Sequence, residues 1–225
     1  MNKLDLFPLM LSLRVAGIAT MLAVLAGLPL AWYLARQRGR LADLLDSLIT
    51  LPLVLPPTVL GYYLLVALGR QSPIGHFLEQ QFGLTLVFTP RGAVIAACVA
   101  SIPYFIKSAR AALEGVGRDL VDAARTLGRT EGEIFWAIIV PIAWRGLAAG
   151  GVLTFARALG DFGTTLMVAG GIPGRTLTMP IAIYNSILAG DRGMANLLVA
   201  VMTLAALAVI FTLNRLQRSF IRGRD

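Results

Sequence analysis

The chain has 225 residues, of which 57% are hydrophobic and only 14% are charged, and its mean hydropathy is +0.76. Soluble domains carry about 25% charged residues, so the composition excludes an ordinary soluble protein and indicates a chain that lies mostly in membrane lipid. The formal charge of +8 does not indicate a nucleic-acid partner, because the basic residues cluster at the ends of apolar runs and form no basic stripe with interleaved aromatic residues.

The first apolar run, residues 9–35, is long enough to cross about 30 Å of hydrocarbon at 1.5 Å per residue. Arg36, Arg38 and Arg40 follow it, which is the reverse of the charge order of a secretory signal peptide. We therefore predict a retained span with the N-terminus outside.

A second span is predicted over 48–69, and it contains the proline-rich sequence LPLVLPPTVLG. Prolines remove backbone hydrogen bonds, and lipid tolerates this only where neighbouring helices or a wet cavity satisfy the freed groups. Pro56 and Thr58 are therefore candidates for the lining of a translocation pathway. A kinked helix with a packing role only is the alternative.

A third span is predicted over 91–112, and residues 113–145 after it form the only long charged interruption of the chain. An apolar face at helical spacing, with charged residues opposite it, predicts a short amphipathic helix outside the bilayer. This helix is a candidate docking element, with an ordinary surface helix as the alternative. Its apolar face consists of Leu120, Ala123, Ala124 and Leu127.

Gly128 is expected to end that helix in the left-handed conformation that glycine adopts at little cost. Thr130 and Glu133 have the spacing of a capping box, which predicts that a second helix starts at Thr130. Pro141 is expected to end this second helix.

The order Asp122-Ala123-Ala124, Gly128, Val140-Pro141 resembles the "EAA" signature of the membrane subunits of ABC importers. Asp122 stands where that signature has Glu, and Val140 stands where it has Leu. In that family the element is a coupling helix seated in a cleft of the cytoplasmic ATPase. The resemblance implies these ATPase-coupling residues: Asp122, Ala123, Ala124, Leu127, Gly128 and Pro141.

A fourth span is predicted over 146–169, and it contains Arg157 and Asp161. Ionisable side chains at membrane depth cost about 2.5 to 3.5 kcal/mol each on insertion scales, so they usually face a bundle interior or a wet cavity. At a spacing of four residues they share a helix face and can pair. We expect Arg157 to attract an anion and Asp161 to hold the Arg157 guanidinium in place. Thr164 is expected to offer a hydroxyl donor. A purely structural ion pair is the alternative.

The apolar run in 177–189 is too short to span the bilayer, so a short helix or a re-entrant piece on the outer side is predicted there. A last span is predicted over 194–213, followed by a basic tail. Five crossings place the basic loops after the first and third spans, and the tail, on the cytoplasmic side. The predicted fold is thus all-α, with five transmembrane helices, a coupling helix and a short outer helix in a single domain, N-terminus outside and C-terminus inside.

The segments LPLVLPPTVLGYYLLVALGR, AARTLG, FARALGDFG and GGIPGRTLTMPIAIY resemble the molybdate permeases of ABC importers, and less closely the sulfate and tungstate permeases. Asp161 stands where these relatives show Glu, and Arg175 stands where they often show Glu. The resemblance implies a type I importer fold, a homodimer in the inner membrane, cytoplasmic ATPase subunits and an extracytoplasmic binding protein. It implies oxyanion import, most simply of molybdate, with sulfate or tungstate as alternatives.

No enzyme site is expected in this chain. The sequence has no G-x-x-x-x-G-K-[ST] loop, so nucleotide hydrolysis is assigned to a partner. One cysteine, Cys98, and one histidine, His76, provide neither a disulfide framework nor a metal cluster, so we expect no catalytic residue, no metal and no cofactor. An ion-coupled secondary transporter is the rival hypothesis, but the sequence shows no internal repeat and a single clear intramembrane carboxylate.

Overall fold

The apolar runs fold as helices, which is the way a backbone crosses lipid with all its polar groups paired. The computed structural model describes residues 5–222, and every regular element in that range is helical. The two chain ends, 1–4 and 223–225, lie outside that range. Charged residues in them contribute to the predicted orientation. The elements are α1 (Phe7–Arg36), α2 (Arg40–Val54), α3 (Pro57–Leu68), α4 (Pro73–Phe82), α5 (Pro90–Glu114), α6 (Arg118–Thr126), α7 (Glu131–Ile134), a π-helical turn (Phe135–Ile139), α8 (Val140–Leu159), α9 (Gly163–Ala169), α10 (Met179–Leu188) and α11 (Arg192–Arg222).

Four continuous helical stretches among the described residues are long and apolar enough to cross a membrane. The helices α2 and α3 qualify together as a fifth candidate, but they are bent by 115° at the break between them. The long stretches are Phe7–Arg36, Pro90–Glu114, Glu131–Leu159 and Arg192–Leu213.

The predicted span 48–69 is not one continuous helix, because the chain breaks between Val54 and Pro57. Leu55 has an extended backbone with φ −69° and ψ 138°, and Pro56 has φ −53° and ψ 136°. Each of these residues precedes a proline, whose ring disfavours helical geometry in the residue before it. Two adjacent prolines therefore break the helix outright, while Pro52 is tolerated inside α2.

The prediction that Pro141 ends the helix starting at Thr130 is wrong. The helix that starts after Thr130 continues through the π-helical turn and past Pro141 to Leu159. Proline lacks the amide proton for the usual bond to the fourth preceding residue, and the wider π turn directly before it accommodates that loss. The predicted span 146–169 therefore begins earlier than expected, and a break after Leu159 separates α8 from the short helix α9.

The core lies where α1 packs against α5, and small residues let the two backbones approach closely. A Cβ added at Gly27 would lie 2.8 Å from Phe105 Cδ1, so a larger residue there would force the Phe105 ring to shift. At the far end of the pair, Asp46 of α2 accepts hydrogen bonds from Lys107 Nζ at 2.7 and 2.8 Å. The fully buried positions include Ala16, Ala19, Ala23, Ala31, Ala93, Ala96, Ala97 and Ala109.

The short helix predicted over 177–189 is observed as α10 (Met179–Leu188). Its first turn is buried, with Met179 and Ile181 both fully enclosed. The Met179 amide donates to Ser12 Oγ of α1 at 2.8 Å, so the start of α10 is attached to the first span.

Candidate functional site

Helix α6 presents most of the predicted coupling residues on an open surface. Leu120 is 55% exposed and Leu127 is 82% exposed, and Asp122 and Ala123 are exposed beside them. Ala124 alone is buried in α6. Large apolar side chains held in the open outside the apolar spans are typical of a surface that a partner protein covers. Pro141 does not belong to this surface, since it lies inside the long helix.

Gly128 ends α6 in the left-handed conformation, as predicted, with φ +78°. Its amide donates to the Arg125 carbonyl at 2.9 Å, and the Arg129 amide donates to the Ala124 carbonyl at 3.2 Å. Apart from Gly128 and its two chain neighbours, no atom of the residues that the structure describes lies within 4 Å of the place where a Cβ would stand. The glycine is therefore required by the backbone conformation and not by crowding from its own chain.

The predicted capping box is confirmed at the start of the next helix. Thr130 Oγ1 accepts from the Glu133 amide at 3.4 Å, and Glu133 Oε2 accepts from the Thr130 amide at 2.9 Å. This fixes where the long helix begins, immediately after the Gly128 turn.

Sequence reasoning missed the contacts of Glu131. Its carboxylate accepts from Arg125 Nε at 2.7 Å and from Arg36 NH1 of α1, and this interaction raises the pKa of the Arg125 guanidinium. The Arg36 guanidinium carbon lies 3.7 Å from the centroid of the Trp32 ring, and that ring meets Phe135 edge-on at 4.4 Å. Trp32 and Arg36 are four residues apart, so the sequence places them on one face of a helix. Nothing in the sequence pairs Arg36 with a residue 95 positions away.

A cavity of about 840 Å³ separates α6 from the ends of α1 and α5. Both apolar and charged side chains line it, and more of the charged ones are basic than acidic. The charged residues that line it are Arg36, Arg38, Arg110, Glu114, Arg118, Asp122 and Arg125.

The predicted Arg157 and Asp161 pair is present, with Arg157 NH1 donating to Asp161 Oδ1 at 3.2 Å. The Asp161 side chain is fully buried and that of Arg157 is 25% exposed. The other carboxylate oxygen accepts from the Thr165 amide at 2.9 Å and from Thr165 Oγ1 at 2.7 Å. Asp161 lies beyond the end of α8, so its carboxylate does not share a helix face with Arg157. It bridges the break between α8 and α9.

The broken second span lies directly against α9. A Cβ added at Gly163 would lie 2.9 Å from Pro57 Cβ and 3.3 Å from the Thr58 amide nitrogen. Next to it, Thr164 is fully buried, and its hydroxyl has no hydrogen-bond partner among the described residues. Pro56 and Thr58 are exposed. The structure therefore brings four predicted pathway positions, Pro56, Thr58, Asp161 and Thr164, to the two neighbouring helix breaks.

The sequence matches the family model of the binding-protein-dependent transport system inner membrane component over residues 23–225. It is 43% identical over 205 residues to the molybdenum transport system permease protein ModB of Escherichia coli, with 90% of each chain covered. It is 38% identical over 219 residues to ModB of Azotobacter vinelandii, with 97% of this chain and 96% of that protein covered.

Among solved structures, an inward-facing form of the MetNI methionine ABC transporter superposes with a TM-score of 0.75. The match covers 94% of both chains at 16% sequence identity, so it shows a shared fold, that of a type I ABC importer permease. The family match and the apolar helices together make the chain a multi-pass protein of the inner membrane. The chain belongs to the family of binding-protein-dependent transport system inner membrane components, the membrane permeases of ABC importers.

Proposed function

We propose that this protein is the permease subunit of an ATP-driven importer that carries molybdate across the inner membrane. The observation that carries the proposal is the identity of 38% and 43% to two permeases named for molybdenum transport, each over 90% or more of this chain. Sulfate and tungstate are the alternatives, and those relatives favour molybdate over sulfate. Membership of a binding-protein-dependent family weighs against an ion-coupled secondary transporter.

The assembly proposed is a homodimer of this chain with cytoplasmic ATPase subunits, which hydrolyse the nucleotide, and an extracytoplasmic binding protein, which delivers the anion. The exposed apolar face of α3 supports a second copy. Tyr62, Tyr63 and Val66 are 54%, 59% and 56% exposed, while the opposite side of α3 contacts α9. A pathway between two copies would place this face and both helix breaks near the dimer axis.

In the proposed cycle, closure of the ATPase dimer moves α6 and opens a cavity between the two permeases to the outside. The anion then passes the breaks, where Arg157 supplies positive potential and Asp161 fixes the position of the guanidinium. The hydroxyls of Thr58 and Thr164 are donors for the oxyanion, and Pro56 keeps the backbone non-helical at the break between α2 and α3. The exposed docking face of α6 and the buried position of Asp161 support these roles.

Uptake into vesicles tests the proposal. The permease is reconstituted with its ATPase and binding protein, and labelled molybdate is offered with ATP inside and with unlabelled tungstate or sulfate as competitor. We expect uptake that requires ATP and the ATPase subunit and that excess sulfate does not suppress. Uptake without the ATPase would overturn the importer, and complete competition by sulfate would reassign the substrate.

The proposed orientation, N-terminus outside and C-terminus cytoplasmic, is supported by the basic residues after α1 and on the loop that carries α6. Two exposed positions test it in a Cys98→Ala background. Pro173→Cys is expected to react with an impermeant maleimide in intact spheroplasts, whereas Leu127→Cys is expected to react only in inside-out vesicles. The reverse pattern would refute the orientation.

A further inference from the structure

Helix α6 has few contacts of its own with the helix bundle. Ala124 is its only buried residue, and Val121 is half-buried against the same core. The cavity of about 840 Å³ lies between most of the helix and the ends of α1 and α5. This is little apolar packing for a nine-residue helix, so the contacts of its charged side chains contribute to where α6 sits.

Those contacts converge on Glu131, in an arrangement we name the Glu131 junction: Glu131, Arg125, Arg36, Trp32 and Phe135. One carboxylate joins the guanidinium of α6 to the guanidinium at the end of α1. Arg36 in turn lies over Trp32, and Trp32 packs edge-on against Phe135. Glu131 and Phe135 both belong to the long helix that continues through α8. Three separate parts of the chain therefore meet at one side chain.

We infer that Glu131 is a positioning residue that ties the docking helix α6 to both α1 and α8, so that a displacement of α6 reaches the two spans together. This rests on the proposed role of α6 as the surface that the ATPase subunit moves. Without the junction, α6 would remain connected to the long helix through the Gly128 turn but would lose its ion-pair link to α1.

The exposure of the junction separates this role from one in folding. The side chain of Glu131 is 52% exposed and that of Arg36 is 29% exposed, and ion pairs this exposed contribute little to folding stability. Loss of the Glu131 charge should therefore leave insertion and assembly intact while it weakens the link between α6 and α1.

The test uses Glu131→Gln in the complete complex of permease, ATPase and binding protein. We expect normal assembly and a fall of about fivefold in molybdate transported per ATP hydrolysed, the lower end of usual coupling between sites. Glu133→Gln, two residues away, is the matched control, because glutamine serves equally in a capping box, and it should match the wild type. The double variant Arg36→Gln/Glu131→Gln should lose no more than Glu131→Gln alone.

A wild-type ratio of transport to hydrolysis in Glu131→Gln would overturn the inference and leave the proposed function standing, whereas a wild-type complex that does not couple transport to ATP would overturn the proposed function itself. A second measurement uses the permease alone, with nitroxide labels at Leu127 and Gln37 in a Cys98→Ala background. Glu131→Gln should broaden the distribution of distances between the labels. An unchanged distribution would also count against the junction.

Discussion

Replacing Gly128 with valine is expected to lower ATP-driven uptake about tenfold while the permease still inserts and assembles. The glycine has φ +78°, where a residue with a Cβ costs roughly 1 to 2 kcal/mol, and a cost of about 1.4 kcal/mol changes an equilibrium tenfold. No described atom beyond the two chain neighbours would clash with the added side chain. The strain therefore comes from the backbone conformation, and we expect it to shift the turn that follows α6. Uptake of labelled molybdate by the reconstituted complex measures the effect.

Two variants separate the turn geometry from a general effect of added bulk. Gly132→Val adds the same side chain to an exposed position that also has nothing within 4 Å but has no left-handed backbone, and it should retain nearly full uptake. Gly128→Asn should recover most of the loss, because asparagine tolerates the left-handed conformation. Equal uptake in Gly128→Val and the wild type would remove Gly128 from the coupling surface.

The local signals in the proposed coupling loop were predictable from sequence because they act over three or four residues. The apolar face of α6, the left-handed Gly128 and the Thr130 capping box each depend on neighbours in the chain. The continuation of the helix through Pro141 was not predictable in the same way. Proline usually ends or kinks a helix, and the π turn that relieves it leaves no pattern that the residue types alone reveal.

The residues proposed for the pathway show the same limit at longer range. The cost of an intramembrane charge predicted that Arg157 and Asp161 would pair, and they do. The break after Leu159, which turns Asp161 from a helical residue into a bridge between two helices, depends on the packing of α9 against the broken second span. That packing joins Gly163 to Pro57 and Thr58 across the fold, and no spacing in the sequence encodes it.

Replacing Asp161 with alanine is expected to destabilise the permease by about 3 kcal/mol, because removal of one partner leaves the other charge uncompensated. The buried carboxylate serves three donors: Arg157 NH1 at 3.2 Å, the Thr165 amide at 2.9 Å and Thr165 Oγ1 at 2.7 Å. Alanine would leave the guanidinium unpaired and would also free the first turn of α9. A lower thermal unfolding midpoint of the purified protein in detergent measures this loss, and Asp161→Asn, which still accepts from Thr165, should lose less.

The double variant Arg157→Met/Asp161→Ala distinguishes a structural pair from a pathway role. Removing both charges eliminates the uncompensated guanidinium, so the unfolding midpoint should recover part of the way toward the wild type. Uptake should not recover with it if Arg157 attracts the anion, since methionine fills the space without the charge. The single variant Arg157→Gln should assemble normally but should transport poorly. Recovery of uptake together with stability in the double variant would assign the pair a purely structural role and place the anion's path elsewhere.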